Sequence, residues 1–218
     1  MGRARGVVTV GRGQVPVRPD LVRATLGAQG AASDVGAALA TATAALTAMR
    51  AALLAAGVAP DDVRTGRTQT WTSEPDQVSG TGERAHAHLG LDVTLRDVAT
   101  AGDQVAAALG AAGDAARLDR LELALADPSA ASVRAREAAF HDARAKATQL
   151  ASLAGRALGE VASIADEPVA APFFTAPSAE AFGMRTAKGV PIDPGTEVVE
   201  AHVTVAWDWG TGPASKDA

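Results

Sequence analysis

The stretch HDARAKATQLASLAGRALGEVASI, residues 141–164, decides the fold. From His141 to Ala154 it is written in alanine and charge with little bulk, then it meets Gly155 and turns aliphatic at Leu158 and Val161. Alanine has the best intrinsic helix propensity, and its small side chain lets a helix lie close against a neighbour. Glycine takes the left-handed backbone that ends a helix at no steric cost. The stretch therefore predicts the end of a helix over 128–155, opened by Pro128 in its first turn, followed at once by a strand over 156–168. Val133, Phe140, Ala143, Ala147, Leu150 and Ala154 are the expected buried stripe of that helix.

The same junction occurs twice more. LLAAGVAPDDV and LGAAGDAARL, ending helices at Gly57 and Gly113, also pass from an alanine-rich helix through glycine into a strand. The first of these helices, 34–56, has Ser33 or Asp34 as its natural N-cap and an apolar stripe of Val35, Leu39, Ala42, Leu46, Met49 and Leu53. The second, 98–112, turns Val98, Val105 and Leu109 inward. Around the helices lie alternating segments. VVTV and GQVPV (7–17) form a short strand, with Pro16 at an edge or bulge. In 19–30, Val22, Ala24, Leu26 and Ala28 share one face. A threonine-rich strand over 61–71 and a hairpin loop over 73–83 lead to RAHAHLGLDVTL, in which Leu89, Leu91, Val93 and Leu95 alternate with His86, His88, Asp92 and Thr94. Leu121, Leu123 and Leu125 share a strand face, and EVVEAHVTVAWDW (197–209) closes the pattern. Strand pairs separated by helices predict an α+β fold, a mainly antiparallel sheet with three helices packed on one face. A single domain is expected over 1–210, with a long proline-rich loop at 168–195 and a disordered tail at 211–218.

Composition bounds the function. Of 218 residues, 47% are apolar, enough for a folded core, yet aromatics are only 3% and tyrosine is absent. Stacking platforms for bases are therefore scarce, and a net charge of −5 argues against a phosphate-backbone binder, so no nucleic-acid partner is expected. Cysteine is absent, which rules out disulfides, thiolate metal sites and cysteine nucleophiles. MGRARGVVTVGRG is basic but leads into too short an apolar run for a secretory signal. Residues 35–56 come closest to a membrane span but are broken by threonines and alanines. The reading is cytoplasmic, with no membrane span.

The ordered motifs resemble the SIMPL (DUF541) family, the 26-kDa periplasmic immunogenic protein-like family. VVTVGRGQVPVRPDLVRATLGAQG is similar to its opening strand pair, with Pro19-Asp20 between, and LLAAGVAPDDVRTGRTQ to its first helix end and following strand. HDARAKATQLASLAGRALGEVASI is similar to its alanine-lysine helix ending in Ala-Gly, and EVVEAHVTVAWDW to its closing strand. The resemblance implies an α+β fold, no established catalytic residues, mostly exported members, and at least one branch that builds ring- or channel-like homo-oligomers. Export would place this chain in the periplasm or outside the cell if a leader had been removed.

The candidate sites are sparse. His86 and His88 share a strand face with Asp92, and His202 lies on the polar face of the last strand; convergence of these strands would make a metal site. Without a tight ligand spacing, polar residues on a solvated face account for them, and no metal or cofactor is expected. No G-x-S-x-G elbow or ordered triad is present, so a non-enzymatic protein is expected. GRG at 11–13 opens no helix and fails as a dinucleotide fingerprint. Arg134, Arg136, Arg144 and Lys146 are interleaved with Glu137 and Asp142, as on a solvated helix face. The aromatics carry the stronger expectation. Phe173, Phe174 and Phe182 sit in the proline-rich loop, and Trp207 and Trp209 on the closing strand. Exposed aromatics of this kind favour interfaces. The expected function is a structural scaffold that self-assembles into a homo-oligomer through these residues. The alternative is a module that binds a small ligand or peptide.

Overall fold

The computed structural model describes residues 6–73, 84–167 and 189–211. In chain order these form β1 (Gly6–Val17), β2 (Leu21–Ala32), α1 (Val35–Ala55), β3 (Val63–Ser73), β4 (Arg84–Leu95), α2 (Val98–Ala112), β5 (Ala116–Ala124), α3 (Ser129–Leu153), β6 (Leu158–Glu167) and β7 (Glu197–Trp209). The fold is α+β, with every strand pairing antiparallel. The strands make two sheets where the sequence suggested one, and the described residues divide into two compact units.

The first unit comprises 6–18, 127–167 and 196–211. Its sheet has the order β1-β7-β6, and α3 lies on β1 and β7. Why α3 carries so little bulk is now plain. Ala131, Ala135, Ala139, Ala143, Ala147 and Ala151, spaced strictly by four, are its buried residues. The strand opposite answers with glycine. A β-carbon built on Gly11 would lie 2.7 Å from the Ala143 amide nitrogen and closer still to the Ala139 carbonyl oxygen. At Gly13 it would lie 2.5 Å from the Ala139 nitrogen. Helix and strand backbones are thus nearly in contact, which only alanine facing glycine allows. Ala143 and Ala147 are buried as expected, but Val133 and Leu150 are 50% and 45% exposed, and Ala154 is exposed as the C-cap. The spacing of three and four that linked the larger residues passes beside the contact line. Bulk on that line would hold the helix off the sheet.

The second unit comprises 19–73, 84–126 and 189–195. Its sheet has the order β3-β4-β2-β5, with α1 and α2 on one face. Val22, Ala24, Leu26 and Ala28 of β2 and Leu89, Leu91, Val93 and Leu95 of β4 are buried beneath the helices, as their alternation predicted. Asp34 caps α1, accepting the Ala37 N–H at 2.9 Å. The helix buries Ala38, Ala42, Ala45, Met49 and Leu53, while Val35 and Leu39 are exposed. By length and composition α1 could cross a membrane, with mean hydropathy 1.5; here its small-residue face packs on β2 and β4. Gly57 and Gly155, at φ +85° and +67°, end α1 and α3. Val58 N–H donates to Leu53 O and Gly57 N–H to Leu54 O, satisfying carbonyls the helix leaves open. Arg156 and Gly155 repeat the pattern on Ala151 and Ser152.

The first two strands do not pair with each other. β1 pairs with β7, whereas both edges of β2 are taken, by β4 and β5. Around the turn, Asp20 N–H donates to Ala124 O at 3.1 Å and Ala126 N–H to the Asp20 carboxylate at 2.7 Å. These bonds fasten the start of β2 to the end of β5.

Candidate functional site

The four-stranded sheet has one face under helices. Its other face carries the alternate residues: His86, His88, Gly90 and Asp92 from β4, and Arg23, Thr25, Gly27 and Gln29 from β2. Gly27 and Gly90 are paired across the two central strands. A glycine inside an alternating strand marks a bulge or a close approach, and here it marks both. On β5 the register shifts between Leu118 and Arg120, leaving Asp119 as the extra residue. On β3 it shifts between Thr65 and Thr68, leaving Gly66 and Arg67 opposite Gly90. Bulges re-aim side chains and bend strands, and these two act at the same level of the sheet.

The β5 bulge sends Asp119 across β2 to His88, whose Nε2 lies 2.9 Å from its Oδ2. The pair crosses directly over Gly27, where a β-carbon would strike the His88 ring and come within 2.7 Å of the Asp119 oxygen. On the other side the β3 bulge brings the Arg67 backbone over Gly90, where a β-carbon would meet its carbonyl oxygen at 3.1 Å. Between the bulges lies a hollow of about 670 Å³, lined by Thr25, Arg67, Gln69, Trp71, His88, Gly90, Asp119 and Arg120. The Arg120 side chain is 65% exposed and pairs with Glu122 at 3.1 Å. Thr25 Oγ1 donates to Asp92 at 2.9 Å. The Trp71 indole stacks on His86, with centroids 5.2 Å apart and planes 8° from parallel; His86 Nε2 is 3.2 Å from Ser73 Oγ.

A neighbouring hollow of about 530 Å³ is lined by charges of both signs. There Arg96 grips Asp62 with two bonds of 2.7 Å. The Arg96 hydrogen bond holds the Asp62 carboxyl below the usual aspartate range. These groups are committed to each other.

The residues singled out in the sequence fall as follows. His86, His88 and Asp92 share the exposed sheet face, but each is engaged separately, and His202 belongs to the other sheet, 3.3 Å from Glu200. Among the described residues no three histidines or carboxylates are grouped to hold a metal. Trp207, expected at an interface, is 4% exposed in the core of the first unit. It packs on Phe140 at 5.7 Å, and its indole N–H donates to Thr9 Oγ1, which donates on to Ala143 O. The alternation that turns Val203 and Val205 to the helix turns Trp207 there too. Trp209 is half-buried, with the Arg156 guanidinium 5.1 Å over its ring. Phe173, Phe174 and Phe182 lie outside the described residues. On α3, Arg136 pairs with Asp166 at 3.0 Å, and Lys146 with Asp142 at 2.6 Å. Arg67, Trp71, Asp119 and Arg120 had no signal of their own in the sequence. The interior glycines Gly27 and Gly90 were the visible sign.

The architecture is that of an α+β protein in which two antiparallel sheets each carry helices on one face. The chain belongs to the SIMPL family: the family described as "Protein of unknown function (DUF541)" matches residues 7–207. No curated protein matches the chain.

Proposed function

We propose that this chain is a binding module for a small molecule, held in the hollow between the two bulges of the four-stranded sheet. The observation that carries the reading is the meeting of His88 and Asp119 over Gly27. Two edge-strand bulges and two central glycines at one level open a recess on this sheet face, its lining contributed by both polar and apolar atoms. Ligand sites are concave, with a few polar groups converging on them, and this recess meets that description. The reading is non-enzymatic. Thr25, the hydroxyl in the lining, donates to Asp92 rather than to His88, so it is not set up as a nucleophile for the histidine–carboxylate pair. The test is a thermal-shift screen of chemically sorted small molecules against wild type and Gly27→Val, which forces His88 and Asp119 apart. Binders that stabilise wild type and not the variant support the reading. A screen whose binders stabilise both equally overturns it.

Self-assembly into a homo-oligomer is the second reading. It is favoured by Val8, Val10 and Val198, which are 63%, 46% and 43% exposed on the three-stranded sheet. Native mass by light scattering tests it, and a monomer at micromolar concentration removes it.

A further inference from the structure

We infer that the ligand of this hollow is an aromatic molecule carrying a single carboxylate; the inference rests on the binding-module reading above. Charge sets the first half of the argument. Arg67 and Arg120 line the hollow from opposite edge strands, with Asp119 as the carboxylate among its lining residues, so the lining holds two guanidinium groups to one carboxylate. That balance suits a monoanion. A dianion such as a phosphate monoester would face the Asp119 carboxylate with one charge uncompensated. Guanidinium groups have the planar fork that fits a carboxylate with two parallel bonds. Arg120 reaches the hollow from a side chain 65% exposed and paired with the nearby Glu122 at 3.1 Å, a solvated pair that can be exchanged for a ligand at little desolvation cost.

Shape sets the second half. The hollow is walled by flat groups. The Trp71 indole, 38% exposed, is held in one orientation by its stack on His86. The His88 ring is fixed by Asp119 and lies over a residue with no side chain. Rings held rigidly before binding lose little entropy on stacking, and offset aromatic pairs add attraction beyond the area they bury. In a chain with three tryptophans and no tyrosine, one indole is spent on an open sheet face beside two arginines. The chemistry that uses all of these groups together is an aromatic ring with one anionic arm.

The experiment is titration calorimetry at pH 7 with indole-3-carboxylate, against cyclohexanecarboxylate (charge without a flat ring), indole-3-methanol (ring without charge) and phenyl phosphate (ring with a second charge). Wild type is expected to bind indole-3-carboxylate at least about tenfold more tightly than each of the others. Arg120→Gln and Trp71→Leu, both surface changes that leave the core intact, are each expected to weaken it about tenfold. Gly27→Val is expected to abolish it. Phenyl phosphate or cyclohexanecarboxylate binding as tightly, with loss in Gly27→Val, overturns the ligand class and leaves the site standing. Indole-3-carboxylate binding unchanged by all three variants overturns both. No binding of indole-3-carboxylate to wild type at millimolar concentration overturns the class, and the library screen then judges the site separately.

Discussion

Replacing Gly11 with alanine should be among the most damaging single-methyl additions in the first unit. The new β-carbon would sit 2.7 Å from the Ala143 nitrogen and 2.8 Å from the Ala143 β-carbon, and closer again to the Ala139 carbonyl oxygen. Ordinary contact begins near 3.4 Å, so α3 and β1 must part by about 0.7 Å or more at this point, in an interior packed like a crystal. Two of the three obstructing atoms are backbone and cannot rotate away. The separation would also loosen the alanines that share the contact line. Overpacking typically costs 1–3 kcal/mol, and a clash against backbone on both sides belongs at the top of that range, about 3 kcal/mol. Urea denaturation followed by tryptophan fluorescence measures it, since Trp207 lies in the same unit beneath α3. A second substitution sharpens the test. Ala143→Gly in the Gly11→Ala background should restore little, because the Ala139 carbonyl remains in the way. Gly110→Ala is the control. A β-carbon there meets nothing within 4 Å, so removing a helix-interior glycine should stabilise by about 0.5–1 kcal/mol. A Gly11→Ala protein within 0.5 kcal/mol of wild type, by the same urea titration, would refute the close-approach argument.

Three further outcomes are expected. Ala147→Leu, on the same contact line, should destabilise by about 1–3 kcal/mol, whereas Leu150→Ala, 45% exposed, should change the melt little. Trp207→Phe removes the donor to Thr9 and some volume, and should cost about 1–2 kcal/mol in denaturant titration. Asp142 is held below the usual aspartate range by the hydrogen bond from Lys146 and by the Arg12 N–H. Its folded pKa is depressed, so its contribution is present above the unfolded value near 3.9 and lost as pH falls through the folded value. Asp142→Asn should therefore be less stable than wild type at pH 7, with the gap closing below about pH 4.

The elements were legible because each is written locally. The alternation in β2 and β4 turned the right residues inward, and the glycines at 57, 113 and 155 stopped their helices with positive φ as expected. Which strand pairs with which is not local, and nothing in VVTV announces a partner at VTVAW. That is why one sheet was expected where two form. The helix stripes misled for a related reason. In α3 the burial belongs wholly to alanines, which occur on every face and so carry no periodic contrast, and in α1 the expected Ala42, Met49 and Leu53 are buried while Val35 and Leu39 at its start are exposed. Trp207 was expected at an interface as part of a final strand crossing to another subunit, although its own alternation placed it inward. The site was the least legible part. Asp119 and Arg67 reach it only because the strands bulge, and a bulge is an extra residue measured against a partner strand that the sequence does not name.

The pairing of β1 with β7 also sets a timetable for synthesis. Gly6 lies opposite Asp208 and Val17 opposite Glu197, so even the nearest of these partners is about 180 residues further along the chain, roughly ten to forty seconds of translation. The second unit's strands and helices, from β2 to β5, follow one another without interruption and can close while the ribosome is still writing α3. Throughout that interval β1 is an unpaired valine-rich strand with both edges open, the kind of segment that joins to a neighbouring nascent chain. The first unit is thus begun before the second and finished after it, and β1, Gly6–Val17, must wait for its partner until the last strand arrives.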